Sequence, residues 1–460
     1  MRKISLYIRG AKTAALKAAG TYVRRSVFAL PKLWHKPGKL WKASFFIIFS
    51  FVFISNVLAE DITFTLDEAI AIALRDNKNV LLSANEIVKA KAQINEAWSM
   101  ALPSLTVNVD RDRTGNLTEK PYSTTEIYAG LKQNIFQSGR IYNTIKRSEY
   151  NKQVKQALYD KEKIEIVLNV KKAFCTLMLS EYFLDLNIKV LKNTKMHLDF
   201  TKARYEKGQA SQLDVENVTA QLDNAKKIHE ASLNQVEASK QLLRNLLYLK
   251  ESVTVTTIGK FVYTPKEIMF DRALVRALGQ RPEIKQYEAK AKADEYALSI
   301  AKAGNLPSVD LTFDSYSGTR FITTTGIATK WKNYNVLGLT FNWPVFDGFA
   351  TKAKIEQAIV DLKQSQILKE KTVQDIVLEL KNAYLSLKSA ISSLDSAESD
   401  AQFYKNNLAS VKKKYTEGIA SSLDMDDASL KHKLSIFNKQ QALYDYIIAK
   451  SSLDKAEGSM

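Results

Sequence analysis

Two stretches of this chain contain neither glycine nor proline for almost seventy residues. They are 68 residues at 140–207 and 69 residues at 349–417. Glycine and proline are the strongest local punctuators of secondary structure. A run of that length without either predicts one continuous helix of about 100 Å at 1.5 Å per residue. The usual helix is ~11 residues long. Composition agrees, since 16 Gly and 8 Pro in 460 residues leave few turns. Folds that need a loop after every strand and helix, such as Rossmann and (β/α)8 enzymes, are thereby disfavoured.

Helices this long require neighbours along their whole length. Helical spacing sets Ile164, Val167, Leu168, Cys175 and Met178 in one stripe, and Val373, Ile376, Val377, Leu380, Tyr384 and Leu387 in another. The breaker-free stretches 209–258 and 419–457 supply the partners, joined through turns at Gly208 and Gly418. Each glycine stands where a helix C-terminus favours a left-handed residue. Three residues on, Ser211 and Ser421 are N-caps, with Asp214 and Asp424 completing the S-x-x-D spacing of a capping box.

The chain is an internal duplication. The block Leu66–Leu74 returns 204 residues later as Phe270–Leu278, and Leu102-Pro103-Ser104-Leu105 returns at the same offset as Leu306-Pro307-Ser308-Val309. Farther on the offset is 210, where six of the twelve residues Tyr205–Glu216 are identical in Tyr415–Asp426. Residues 60–267 and 268–460 are read as the two repeats. Each holds a helix, two strands and a long helical hairpin.

The strands announce themselves by a change of period. Leu105, Val107 and Val109 alternate with polar residues, as do Val309, Leu311 and Phe313. After polar loops come Ile127, Ala129 and Leu131, and in the second copy Leu337, Leu339, Phe341 and Trp343. Alternation over eight to ten residues between turn signals is the pattern of a membrane β-barrel strand. Four strands cannot close a barrel, and lipid tolerates no open edge. A barrel built from them must be shared between chains. Tyr128, Tyr316, Trp331 and Trp343 are expected at an interfacial aromatic girdle.

Charge locates the chain. The formal net charge is +18, but residues 1–59 hold eleven Lys or Arg and no acid, leaving +7 for the other 401 residues. Those cations precede the apolar run Ala43 to Ser55 and then Val57-Leu58-Ala59. This is the layout of a secretory signal peptide, with cleavage expected after Ala59. The basic excess therefore lies mostly in a removable leader, and no nucleic-acid partner is expected. Cys175 is alone, which excludes an intrachain disulfide. No P-loop, G-x-S-x-G or H-E-x-x-H motif occurs, and His197, His229 and His432 are far apart. Neither an enzyme nor a bound metal or cofactor is expected.

The Leu66–Leu74 block, the Leu102-Pro103-Ser104 entry into a strand, and the turns at Phe136-Gln137-Ser138-Gly139 and Phe346-Asp347-Gly348 together resemble the TolC-like outer-membrane efflux protein family. The paired Tyr-x-x-Gly-x-x-Ser-x-Leu-Asp tips complete the likeness, which covers nearly the whole chain after the leader. It implies a mainly α fold with membrane β structure: a homotrimer whose 12-stranded barrel, shared by three chains in outer-membrane lipid, continues into a periplasmic α-helical barrel. It further implies an export duct for drugs and toxic compounds or for type I protein secretion. The partners would be a periplasmic adaptor (membrane fusion) protein and an inner-membrane pump of the resistance-nodulation-division or ABC type. Tyr205, Gly208, Ser211, Leu213, Asp214, Tyr415, Gly418, Ser421 and Leu423 would form the adaptor-docking tips. Asp424 and Asp427 fall where family members place acidic rings that close the periplasmic gate; the first repeat has Asp214 and the neutral Asn217. A latching Arg found in some members is Ala420 here, with Lys412, Lys413 and Lys414 nearby. Long hairpins would equally suit a periplasmic coiled-coil scaffold or adaptor held by an uncleaved N-terminal anchor. A scaffold, however, gives no reason for two equivalent pairs of alternating strands.

Overall fold

The computed structural model describes residues 60–460 apart from 116–121, 265–268, 320, 324–325, 329–330, 418 and 460. The leader and its cleavage site at Ala59, together with Gly418, lie outside the described residues. In chain order the first repeat runs β1 (Glu60–Phe64), α1 (Leu66–Asp76), α2 (Lys78–Ser99), β2 (Ser104–Thr114), β3 (Tyr122–Phe136), α3 (Arg140–Glu206), α4 (Gln212–Leu247) and β4 (Val253–Thr257). The second runs α5 (Phe270–Gln280), α6 (Pro282–Lys302), β5 (Ser308–Gly318), β6 (Phe321–Thr323), β7 (Gly326–Ala328), β8 (Lys332–Asn342), α7 (Ala350–Thr416) and α8 (Ser422–Glu457).

The duplication holds helix for helix. Both long helices are 67 residues and both return helices 36. The offset changes from 204 to 210 in the loop between the two strands of each repeat. That loop is 115–121 in the first repeat and 319–331 in the second, where the extra residues hold the small β6–β7 hairpin.

One expectation fails. The breaker-free stretch 209–258 is not one helix: α4 stops at Leu247, Tyr248 adopts a left-handed φ of 54°, and Val253–Thr257 form β4. β4 pairs in parallel with β1, Val253 opposite Glu60 and Thr257 opposite Phe64. A β-branched run outweighs the absence of a breaker. At the equivalent end of α8, Gly458 takes the same conformation with φ 76°.

Buried residues of the two repeats correspond. Ala69, Ala73, Ile166, Val170, Leu177 and Leu243 form one core; Ala273, Ala277, Ile376, Leu380, Leu387 and Leu453 form the other. The stripe read for α7 holds at Ile376, Leu380 and Leu387. In α3 the fully buried line includes Ile166, Val170 and Leu177, while Ile164 and Val167 are half-buried.

Strands β2-β3-β5-β8 make one antiparallel sheet. The register puts Leu105, Leu131, Phe313 and Leu337 on one rung, and Asn108, Tyr128, Tyr316 and Tyr334 on another. Odd-numbered positions thus form an apolar face and even-numbered positions a polar one, because side chains alternate across a sheet. Leu105, Leu337 and Leu339 are 71%, 73% and 71% exposed. Tyr128 and Tyr316 stand on the polar face and so cannot belong to a lipid-side girdle as expected; each is one residue out of phase with the apolar positions. Trp331 and Trp343 flank the two ends of β8. Three of the four strands have 11 residues, which span about 37 Å, or about 28 Å once tilted, close to the thickness of a hydrocarbon core.

Strand and helix join through paired left-handed residues. Ser138 and Gly139 have φ of 49° and 78°, and Gly348 and Phe349 have 67° and 66°. The same turn is made with its glycine second in one repeat and first in the other. Pro344 denies β8 a further ladder donor, whereas β3, with Asn134-Ile135-Phe136 there, pairs through a bulge to Phe136.

Candidate functional site: the hairpin tips

The two hairpins end in matching tips. In the first, Gly208 has φ 68°, Gln209 N donates to Arg204 O at 2.8 Å, and Arg204 Nη2 reaches back to Gln209 O at 3.3 Å. Nothing lies within 4 Å of a Cβ placed on Gly208. A side chain there costs about 1 kcal/mol through the backbone alone. In the second tip Ile419 N donates to Lys414 O at 2.9 Å, the same reach over five residues.

Both return helices open with a complete capping box. Asp214 Oδ2 accepts from Ser211 N at 2.8 Å and Ser211 Oγ at 2.7 Å, while Asp214 N donates to Ser211 Oγ at 3.2 Å. Asp424 Oδ2 accepts from Ser421 N at 2.9 Å and Ser421 Oγ at 2.7 Å, and Asp424 N donates to Ser421 Oγ at 3.1 Å. The backbone amide and hydroxyl of Ser211 hold the Asp214 carboxyl below its ordinary range. The hydroxyl and amide of Ser421 do the same for Asp424. The box rigidifies the turn and fixes what stands beside it. Tyr205, Leu213, Tyr415 and Leu423 are all exposed, at 47%, 65%, 45% and 49%, so each tip presents apolar side chains to solvent.

Asp427 stands one turn into α8 and takes no part in the cap. Its Oδ2 accepts from Lys431 Nζ at 2.8 Å, with both side chains about half exposed. The Lys431 partner, at i+4, is legible in the sequence as a D-x-x-x-K spacing. The first tip has Asn217 and Gln221 at these places. The two tips are therefore alike in turn and cap but differ in this ion pair.

The decisive comparison is a family model, that of the outer membrane efflux protein, which matches residues 69–247 and 273–459. The chain belongs to the outer membrane efflux protein family. Members are outer-membrane channels of bacteria and not enzymes. Within the family it is 22% identical over 410 residues to the outer membrane protein TolC of Escherichia coli (strain K12), covering 84% of this chain and 80% of TolC. It is 21% identical over 395 residues to the cation efflux system protein CusC of Escherichia coli O6:H1, covering 82% and 81%. Among solved structures, the CmeC outer membrane channel of Campylobacter jejuni superposes with a TM-score of 0.71 at 18% identity, covering 86% of this chain and 85% of CmeC. A CusC crystal structure gives 0.70 at 18% identity, covering 86% and 92%. Among the described residues no helix is long and apolar enough to cross a membrane.

Proposed function

We propose that three copies of this chain close a 12-stranded barrel in the outer membrane and continue it as a helical tube in the periplasm. The tube would be the exit duct of a tripartite system that carries small toxic molecules or secreted proteins. One observation carries this: a four-stranded sheet with one apolar, solvent-exposed face and two edges unpaired among the described residues leads through rigid turns into helices of 67 residues. A bare apolar face beside open edges is stable only in lipid and only in a closed barrel. Helix α7 supports the same reading, since Ile359, Val360, Ile367, Leu378 and Leu385 are about half exposed along it.

In this reading the tips at Tyr205, Gly208, Ser211, Leu213 and Asp214, and at Tyr415, Gly418, Ser421 and Leu423, dock a periplasmic adaptor. The adaptor couples them to an inner-membrane pump of the resistance-nodulation-division or ABC type. Asp424 and Asp427 line the periplasmic gate. The leader 1–59 directs the chain across the inner membrane and is removed, giving a mature N-terminus at Glu60. Membrane fractionation with bilayer recording tests the whole: a heat-dissociable trimer in the outer-membrane fraction that conducts ions is expected. A soluble or inner-membrane product without conductance would replace the duct by a scaffold.

A further inference from the structure

We propose that Arg111 and Arg113 on β2 form a binding site for the phosphate of an anionic membrane lipid, at the end of the barrel away from the helices. The inference rests on the barrel reading above, in which the odd-numbered face of the sheet meets lipid.

Charge divides between the two faces of the sheet. All five carboxylates of its four strands, Asp110, Asp112, Glu126, Asp310 and Asp314, stand at even-numbered positions. The only charged residues of these strands at odd-numbered positions are Arg111 and Arg113, and both are exposed. The β2–β3 ladder runs without a bulge from Ser104 to Thr114, so alternation puts the two arginines on the same face as Leu105, Val107 and Val109. Among the described residues neither arginine makes an ion pair.

Depth makes the pair a headgroup site. A cation on the lipid side of a barrel strand is costly at mid-bilayer and costs little near an interface. Arg113 is nine residues beyond Ser104, about 30 Å along the strand and about 23 Å in height at about 40° of tilt, against an apolar band about 25 Å tall. Arg111 lies two residues lower, and its long side chain can lie along apolar surface while its head reaches the same level. Thr125 stands opposite Arg111 and Ser123 opposite Arg113, so hydroxyl residues flank the pair. The second repeat treats this level differently. At the 204-residue offset the arginines correspond to Ser315 and Ser317, and Ser317 Oγ donates to Asn333 Oδ1 at 2.6 Å and accepts from Trp331 Nε1 at 2.9 Å. Trp331 is an interfacial residue type, and its hydrogen bond closes within the sheet. In the first repeat two guanidinium groups take that place without a carboxylate. Guanidinium pairs with phosphate oxygens through two parallel hydrogen bonds, and a lipid lying beside the barrel brings such a group to this level. A zwitterionic headgroup carries its own cation and gains less. The site occurs once per chain, hence three times in the trimer.

Basic side chains at an interface also settle into water without holding a lipid, so the test counts bound lipid. The full chain is purified from outer membranes, delipidated, and titrated with diphosphoryl lipid A or with phosphatidylcholine, and adducts are counted by native mass spectrometry. Wild type is expected to bind up to three lipid A molecules per trimer, at least about tenfold more tightly than R111Q/R113Q, since each basic residue at an anionic surface is worth about fivefold. Phosphatidylcholine should bind weakly and equally to both, and excess inorganic phosphate should not displace lipid A. K132Q, which removes a cation from the even-numbered face, should bind lipid A as wild type does. If the double variant yields no trimer, R113Q alone is compared, with a loss of about fivefold. Equal lipid A binding by wild type and variant, equal binding of the two lipids by wild type, or displacement by inorganic phosphate would overturn the site. A wild-type protein that is not a trimer, or not in the outer membrane, would instead overturn the barrel reading on which it rests.

Discussion

Asn77 and Arg281 occupy the same place in the two repeats and perform the same task with different chemistry. Each stands at the break between the first two helices of its repeat, at backbone angles of −63°, 128° and −58°, 125°. Each is buried, and each donates to a carbonyl in the last turn of its repeat's return helix: Asn77 Nδ2 to Leu246 O at 3.3 Å, and Arg281 Nη1 to Lys455 O at 3.0 Å. Arg281 also binds Glu379 at 2.7 Å and Glu283 at 3.0 Å, tying the break to the middle of the long helix.

Removal of that guanidinium strands Glu283 and a buried carbonyl. Arg281→Met is expected to destabilise the second repeat by about 2–4 kcal/mol, at the lower end of buried-pair losses because Glu379 is partly exposed. Asn77→Ala loses one hydrogen bond and a helix cap, about 1–2 kcal/mol. Urea denaturation of the purified protein should rank wild type above Asn77→Ala, and that above Arg281→Met. The reverse order would show the ion pairs to be dispensable.

The tips should loosen in acid. Asp214 and Asp424 have carboxyls lowered in the folded state by their capping serines. A lowered folded pKa means that the cap's contribution is complete above the ordinary carboxylate range and is lost as pH falls through the lowered value. Spin labels at Gln209 and Ile419 should stay restricted from neutral pH to about 5 and gain mobility below about 4, where free aspartate itself protonates. With Ser211→Ala and Ser421→Ala that mobility should already be present at neutral pH. Labels equally mobile at all pH values would remove the cap from its proposed role.

The Lys431 partner bears on the gate proposed for Asp427. If Asp424 and Asp427 converge on the threefold axis, a trivalent cation from the periplasmic side should plug the channel. Asp424→Asn with Asp427→Asn should weaken the block about tenfold or more, and Lys431→Gln should strengthen it severalfold by freeing the carboxylate. Asp214→Asn should leave it unchanged. Blocking constants from single-channel records decide, and equal values for wild type and the double variant would refute the acidic gate.

Cys175 should be inert. It is 3% exposed in α3, and burial raises its thiol to about 11. Maleimide at pH 8 is expected to leave the native protein unlabelled and to modify one site once it is denatured. Labelling of the native trimer would show that this part of α3 opens.

What the sequence made legible follows from which signals are local. The long helices could be read because nothing in 140–207 or 349–417 can end a helix, and the tips because Ser211 and Ser421 cap within three residues. β4 escaped because Tyr248 supplies the left-handed stop that Gly458 supplies in the other repeat; the run Val253-Thr254-Val255-Thr256-Thr257 was the available clue. Tyr128 and Tyr316 were misplaced although strand parity was enough to set them opposite Ile127 and Ser315. The roles of Asn77 and Arg281 were beyond sequence reading, because their acceptors lie 169 and 174 residues away.

Disulfide trapping across the sheet edges tests most directly whether three chains share one barrel. Val107→Cys in β2 is combined in turn with cysteine at Asn335, Leu337, Leu339 and Phe341 in β8, all on the apolar face, and outer membranes are oxidised; Cys175, being buried, does not interfere. At least one pair should yield a covalent species that stops at three chains. Dimers alone, or a ladder that runs past three, would contradict a closed 12-stranded barrel.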